Sequence, residues 1–158
     1  MAEPSLTRAG PRPAVTPTNP QQQLDQQPED AALQAELAER VFALPNVTEE
    51  PSRISVPGAR ALVLDAEAAS GPPASFLIGT EFAHLHPIPD QSLHLCLPPE
   101  RAAAEVESGW AEYHPFVLRG QIEPTRLLVY AARDHGELEK LTELVVASHA
   151  YATAAADT

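Results

Sequence analysis

A chain of 158 residues with 44% hydrophobic content is long enough to bury one real core and too short for two ordinary domains. Its formal charge of −12 argues against a nucleic-acid partner and against an anionic membrane surface, because both need clustered Lys and Arg. One cysteine excludes an internal disulfide, no apolar run approaches a membrane span, and no basic-then-apolar leader opens the chain, so a soluble, cytoplasmic protein is expected.

Residues 1–27 are rich in Pro, Gln and Thr and nearly free of large apolar side chains, which predicts a disordered tail. From Pro28 the pattern changes, and residues 28–152 are the expected domain. Leu33, Leu37, Val41 and Leu44 recur at helical spacing until Pro45 stops the run. Arg53-Ile54-Ser55-Val56, a Pro57-Gly58 turn and Ala61-Leu62-Val63-Leu64 read as a hairpin, and Phe76-Leu77-Ile78 as a further short strand. Pro98-Pro99-Glu100 opens a second helix that closes at Gly109. Residues 109–115 read as a loop holding Trp110 and His114, and residues 126–131 as a strand. Asp134 and Glu137 form a capping-box pattern at the start of a last helix with Leu138, Leu141 and Val145 as its core stripe. Residues 153–158 are small and polar and should fray. The order predicts an α+β fold, a mostly antiparallel sheet with about three helices packed on one face.

The chemically unusual stretch is residues 81–97. Leu93, Leu95 and Leu97 alternate with Ser92, His94 and Cys96, the period of a half-buried strand. His84 and His86 share a face with Phe82, and Pro87, Pro89 and Asp90 supply a turn between the two arms. If the arms pair with His84 opposite His94, His86 falls opposite Ser92 and three imidazoles stand together; a one-residue slip scatters them.

Such a cluster suits Zn²⁺ or Fe²⁺, with Glu81 or Asp90 as an oxygen ligand, or metal-free acid–base chemistry near neutral pH. A solvated strand face is the plain alternative. His114 could approach from its loop, Arg133 could hold an anionic oxygen, and Cys96 is either a thiol nucleophile or small core filler. No Gly-x-Ser-x-Gly, Walker or Gly-x-Gly-x-x-Gly motif occurs, and the lone Lys140 sits in an ordinary helix.

Glu81-Phe82-Ala83-His84-Leu85-His86, then Ser92-Leu93-His94-Leu95, then Gly109-Trp110 and His114-Pro115, then Tyr130-Ala131-Ala132-Arg133, resemble the luciferase-domain family of bioluminescent fungi and its bacterial relatives. The resemblance runs from about Glu81 to Thr153. It implies oxidation of a hydroxylated α-pyrone by O₂, through an endoperoxide that loses CO₂, with no organic cofactor. On the chemistry of that reaction, His84, His86, His94, His114, Glu81 and Arg133 are the catalytic candidates. Phe82, Trp110, Tyr130 and Ser92 are the substrate-binding candidates. The expected partners are a small molecule and O₂. A His-coordinated Zn or Fe enzyme and a non-catalytic ligand-binding module remain the alternatives.

Overall fold

The computed structural model describes residues 7–154. Six strands form one sheet in the order Val47–Pro51, Arg60–Leu64, Glu81–Leu85, Leu93–Cys96, Arg126–Val129, Ala111–Tyr113, and every neighbouring pair is antiparallel. The elements are α1 (Ala32–Val41), β1 (Val47–Pro51), β2 (Arg60–Leu64), β3 (Glu81–Leu85), β4 (Leu93–Cys96), α2 (Pro99–Glu107), β5 (Ala111–Tyr113), α3 (Pro115–Leu118), β6 (Arg126–Val129) and α4 (His135–Thr153). With α1, α2 and α4 as its substantial helices, the fold is α+β.

The period-two pattern of β4 decides what each face of the sheet does. Leu93 and Leu95 point into a core with Ala83 and Leu85 of β3, Leu127 and Val129 of β6, and Leu62 and Leu64 of β2. Helix α4 packs on β3 and β4, and α1 packs on α4. The stripe Leu138, Leu141, Leu144 and Val145 is fully or almost fully buried; each such side chain stabilises by about 1.5–3 kcal/mol. Asp134 caps α4, its Oδ1 accepting from Glu137 N at 2.9 Å, and Gly109 ends the α2 turn at φ +87°.

Three local expectations differ. The first strand is Val47–Pro51 rather than residues 53–56, and four of its five residues are exposed. It is a charged edge strand, held by Glu49 against Arg60 at 2.7 Å, so it carries no apolar alternation. Residues 76–78 are not a strand; Ile78 makes an isolated bridge to Glu81, after a 3₁₀ turn at Pro73–Ser75. Their apolar character comes from Phe76 packing on the core and Leu77 facing a cavity. The stretch read as a loop at 109–115 holds β5, which pairs with β6.

The largest difference is the tail. Residues 7–27 pack on the domain, Arg8 reaching the end of α2 at Ser108 O and Gln21 reaching His94 on the face of the sheet opposite the core, and residues 1–6 fall outside the described residues. Arg8, Gln21 and Gln23 are buried. Arg12 donates to Ala111 O at 2.8 Å and to the Tyr130 hydroxyl at 3.2 Å, and Gln23 Oε1 accepts from Ala131 N at 2.9 Å. This second face carries His84, His94 and Leu128, all buried. The segment therefore does by amide and guanidinium hydrogen bonds what an apolar helix does on the other side. At the other end, α4 stays helical through Thr153, and residues 155–158 lie outside the described residues.

Candidate active site

Strands β3 and β4 pair with Ala83 opposite Leu95, His84 opposite His94, and Leu85 opposite Leu93. His86 N continues the ladder to Ser92 O at 2.9 Å. In this register the three rings meet edge-on or tilted, with centroids 4.8–5.1 Å apart. His94 Nδ1 lies 3.1 Å from His84 Nε2 and 3.1 Å from His86 Nε2. All three rings are buried.

A bulge explains one more member. The β2–β3 register jumps from Leu62↔Ala83 to Val63↔Glu81, leaving Phe82 as the extra residue. Parity reverses there. Glu81, which a regular strand would aim at the helices, lies on the histidine face with its Oε2 2.8 Å from His84 Nδ1. Phe82 is turned into the core beside His149 of α4, so it is not the pocket wall expected of it.

Each ring is held from behind by an acceptor. Glu81 Oε2 faces His84 Nδ1 and also accepts from Ser52 Oγ at 2.7 Å. His86 Nδ1 lies 3.0 Å from Ser92 Oγ and 3.1 Å from Asp90 Oδ2, while Ser92 Oγ donates its own hydrogen to Asp90 Oδ1. His94 Nε2 lies 2.9 Å from Gln21 Oε1. The Gln21 amide has one orientation, because its Nε2 donates to Glu112 Oε2 and Tyr113 O, both at 3.2 Å.

Burial sets the electrostatics. Loss of solvent pushes His84 below its ordinary value of 6.5, with Glu81 opposing. It pushes His94 well below 6.5, helped by the neighbouring His84, His86 and His114. Burial works to raise Asp90, yet its hydrogen bonds from His86 and Ser92 leave it below the ordinary carboxyl value. Cys96 is fully buried and does not line the cavity, and desolvation pushes its thiol up to about 12, which together favour core filler over a thiol nucleophile.

The rings form the floor of a cavity of about 160 Å³. His114, Phe116, Arg126, Ile122, Ile54 and Leu77 supply much of the rest of its lining. Residues 19–21 of the N-terminal segment also line it. The His114 ring centroid is 5.6 Å from that of His94. Its Nδ1 accepts from Phe116 N at 3.0 Å, so the neutral ring carries its proton on Nε2, 3.3 Å from Asn19 Oδ1.

The cavity thus gathers His84, His86, His94 and His114, with Glu81 and Ser92 behind them. The remaining sequence candidates lie elsewhere. Arg133 is forked onto the Glu137 carboxylate and donates to Ala9 O at 2.9 Å, tying the N-terminal segment to α4. Trp110 is buried with Lys140 Nζ 5.7 Å from its ring centroid. The Tyr130 hydroxyl donates to Glu112 Oε1 at 2.7 Å beneath Arg8 and Arg12. Two residues that matter went unread. Arg126 was detectable, since β6 pairs it with Cys96 and hence with the histidine face. Gln21 gave no signal in a polar tail.

Taken together, fold and site define an α+β domain whose antiparallel sheet carries a buried imidazole cluster into a small-molecule-sized cavity. Residues 79–148 match the family model described as Luciferase domain, and this segment of the chain is related to the luciferase-domain family. A luciferase of Armillaria mellea is 33% identical over 75 residues, which cover 46% of this chain and 28% of that protein. The matched segment contains all four cavity histidines but not Gln21. No solved structure matches. Among the described residues, no helix is long and apolar enough to cross a membrane.

Proposed function

We propose that this protein is a luciferase-like oxygenase that joins O₂ to a small enolic or phenolic substrate, such as a hydroxypyrone, without an organic cofactor. The observation that carries the reading is the cavity floored by His84, His86 and His94 within a segment related to luciferases. An enol must lose its proton before its carbon reacts with O₂, and the imidazole floor is the basic part of the cavity. The resulting enolate carbon forms a bond to one oxygen of O₂, both electrons coming from the enolate. The other oxygen then carries the negative charge until it regains the proton, giving a hydroperoxide. His114 Nε2–H and the Arg126 guanidinium, both in the cavity lining, are the donors this reading assigns to that oxygen. Phe116, Ile122 and Leu77 offer apolar wall against a flat conjugated ring.

Oxygen uptake with hydroxypyrones and catechols tests this. The expected result is substrate-dependent uptake that His94→Ala abolishes and that His114→Ala and Arg126→Ala lower by about 10²-fold or more. Ligand binding without uptake would overturn the oxygenase and leave a binding module.

A further inference from the structure

The outward nitrogens of the three histidines fix where the inward lone pairs point. Carboxylates and amide oxygens only accept hydrogen bonds. Glu81 Oε2 at 2.8 Å therefore places the proton of His84 on Nδ1, and Gln21 Oε1 at 2.9 Å places that of His94 on Nε2. Ser92 spends its hydrogen on Asp90, so its Oγ accepts from His86 Nδ1 at 3.0 Å. Each neutral ring is left with one bare nitrogen. These are His84 Nε2, His86 Nε2 and His94 Nδ1, which all lie within 4.8 Å of one another, two of the separations being 3.1 Å.

Three lone pairs at such distances repel unless something positive sits among them. A single proton would leave a charged imidazolium in a buried site, whereas a metal cation takes all three pairs at once. We infer that His84 Nε2, His86 Nε2 and His94 Nδ1 form a facial site for one divalent first-row transition metal ion, such as Zn²⁺ or Fe²⁺, on the cavity floor. With metal–nitrogen bonds of about 2.0–2.1 Å, tetrahedral ligands stand about 3.3 Å apart, within a few tenths of an ångström of the two 3.1 Å separations to His94 Nδ1. Imidazole suits Zn, Fe, Ni and Cu alike. A carboxylate or equivalent acceptor behind each ligand is the outer support that metal-bound histidines require. Glu81 faces an outward nitrogen directly and Asp90 acts through the Ser92 hydroxyl, so they orient the ligands instead of joining them. The three ligands come from one side, leaving the coordination positions toward the cavity for water or a substrate oxygen.

The site stands on geometry; because a bound ion would take the same lone pairs that the oxygenase reading uses as base, its test uses metal without substrate. Protein produced without a metal-affinity tag is stripped by chelator and titrated with Zn²⁺ by calorimetry, and with Co²⁺ by visible absorption. One ion per chain is expected, with the intense absorption of a low-coordinate Co²⁺ site and a rise in Tm on Zn²⁺ addition. His86→Ala should weaken binding by 100-fold or more. Glu81→Gln keeps the shape of the outer support and should weaken it by about 10–100-fold. His135→Ala, at an exposed histidine, should leave it unchanged. Absence of stoichiometric binding by a folded wild type would overturn the inference, as would Zn²⁺ affinity insensitive to both His86→Ala and Glu81→Gln.

Discussion

Replacing Gln21 by Leu isolates what the N-terminal segment contributes to the site. The side chain is 2% exposed, and Leu has similar bulk, so the cavity term is small and the loss is one of hydrogen bonds. Of its three partners, Glu112 keeps the Tyr130 hydroxyl at 2.7 Å and therefore suffers least. The His94 Nε2–H loses its acceptor at 2.9 Å while its ring remains buried. An orphaned buried donor costs about 1–3 kcal/mol, so about 2 kcal/mol is expected. The chain can recover part of that by lifting residues 7–27 and letting water reach the ring, so the cost should appear as local opening before global unfolding. Two kcal/mol corresponds to a roughly thirtyfold rise in the open population. Native-state hydrogen exchange reads it at the Arg8 and Leu24 amides, which donate to Ser108 O and Ala14 O within and beneath the segment. Exchange at those amides within a factor of two of wild type, with an unchanged urea midpoint, would refute the account of how the segment is held.

Gly71 abuts α4, and a Cβ there would meet Tyr151 O at 2.3 Å and Ala152 Cα at 2.8 Å, both backbone. Gly71→Ala should lower stability by about 1–3 kcal/mol in urea unfolding. Cys96, with its thiol at about 12, should resist iodoacetamide at pH 8 in the native protein and react in urea. Rapid native alkylation would contradict its burial. His84 and His94 are held below the ordinary 6.5, so between that value and their folded values the unfolded chain binds protons that the folded one refuses. Their contribution to stability is whole above about pH 6.5 and drains away as pH falls below it. The urea midpoint of metal-free protein should therefore drop between pH 7.5 and pH 5.5, well above the range in which Asp90 adds its own loss, and a flat midpoint would count against it.

Legibility in the chain followed the kind of force at work. Strand β4 and helix α4 were visible because apolar burial imposes a period, two for Leu93 and Leu95 and about four for Leu141 and Val145. Strand β1 was misplaced because an exposed edge is selected for charge, and the apolar residues at 53–56 that looked like a strand include Ile54, which faces the cavity. Residues 7–27 were misread for a deeper reason. A segment that covers a sheet with glutamine and arginine hydrogen bonds has the composition of a solvated tail, and only the partners Ala111 O, Ala131 N and His94 Nε2 distinguish the two. Those partners are more than 70 residues away in the chain.

The site shows the same division in smaller compass. The register that joins His84 to His94 could be argued from spacing, because the turn and the leucine pattern allow few alternatives. The bulge at Phe82 could not, since nothing in the letters marks one residue of a strand as extra. Yet that bulge exchanges the places of Phe82 and Glu81. Without it a carboxylate would point into the apolar core and His84 would lack its acceptor. The irregularity thus orients the first imidazole, as the Asp90–Ser92 turn orients the second and Gln21 the third. Three unrelated local devices converge on one point of the sheet, and a merely solvated histidine face would require none of them.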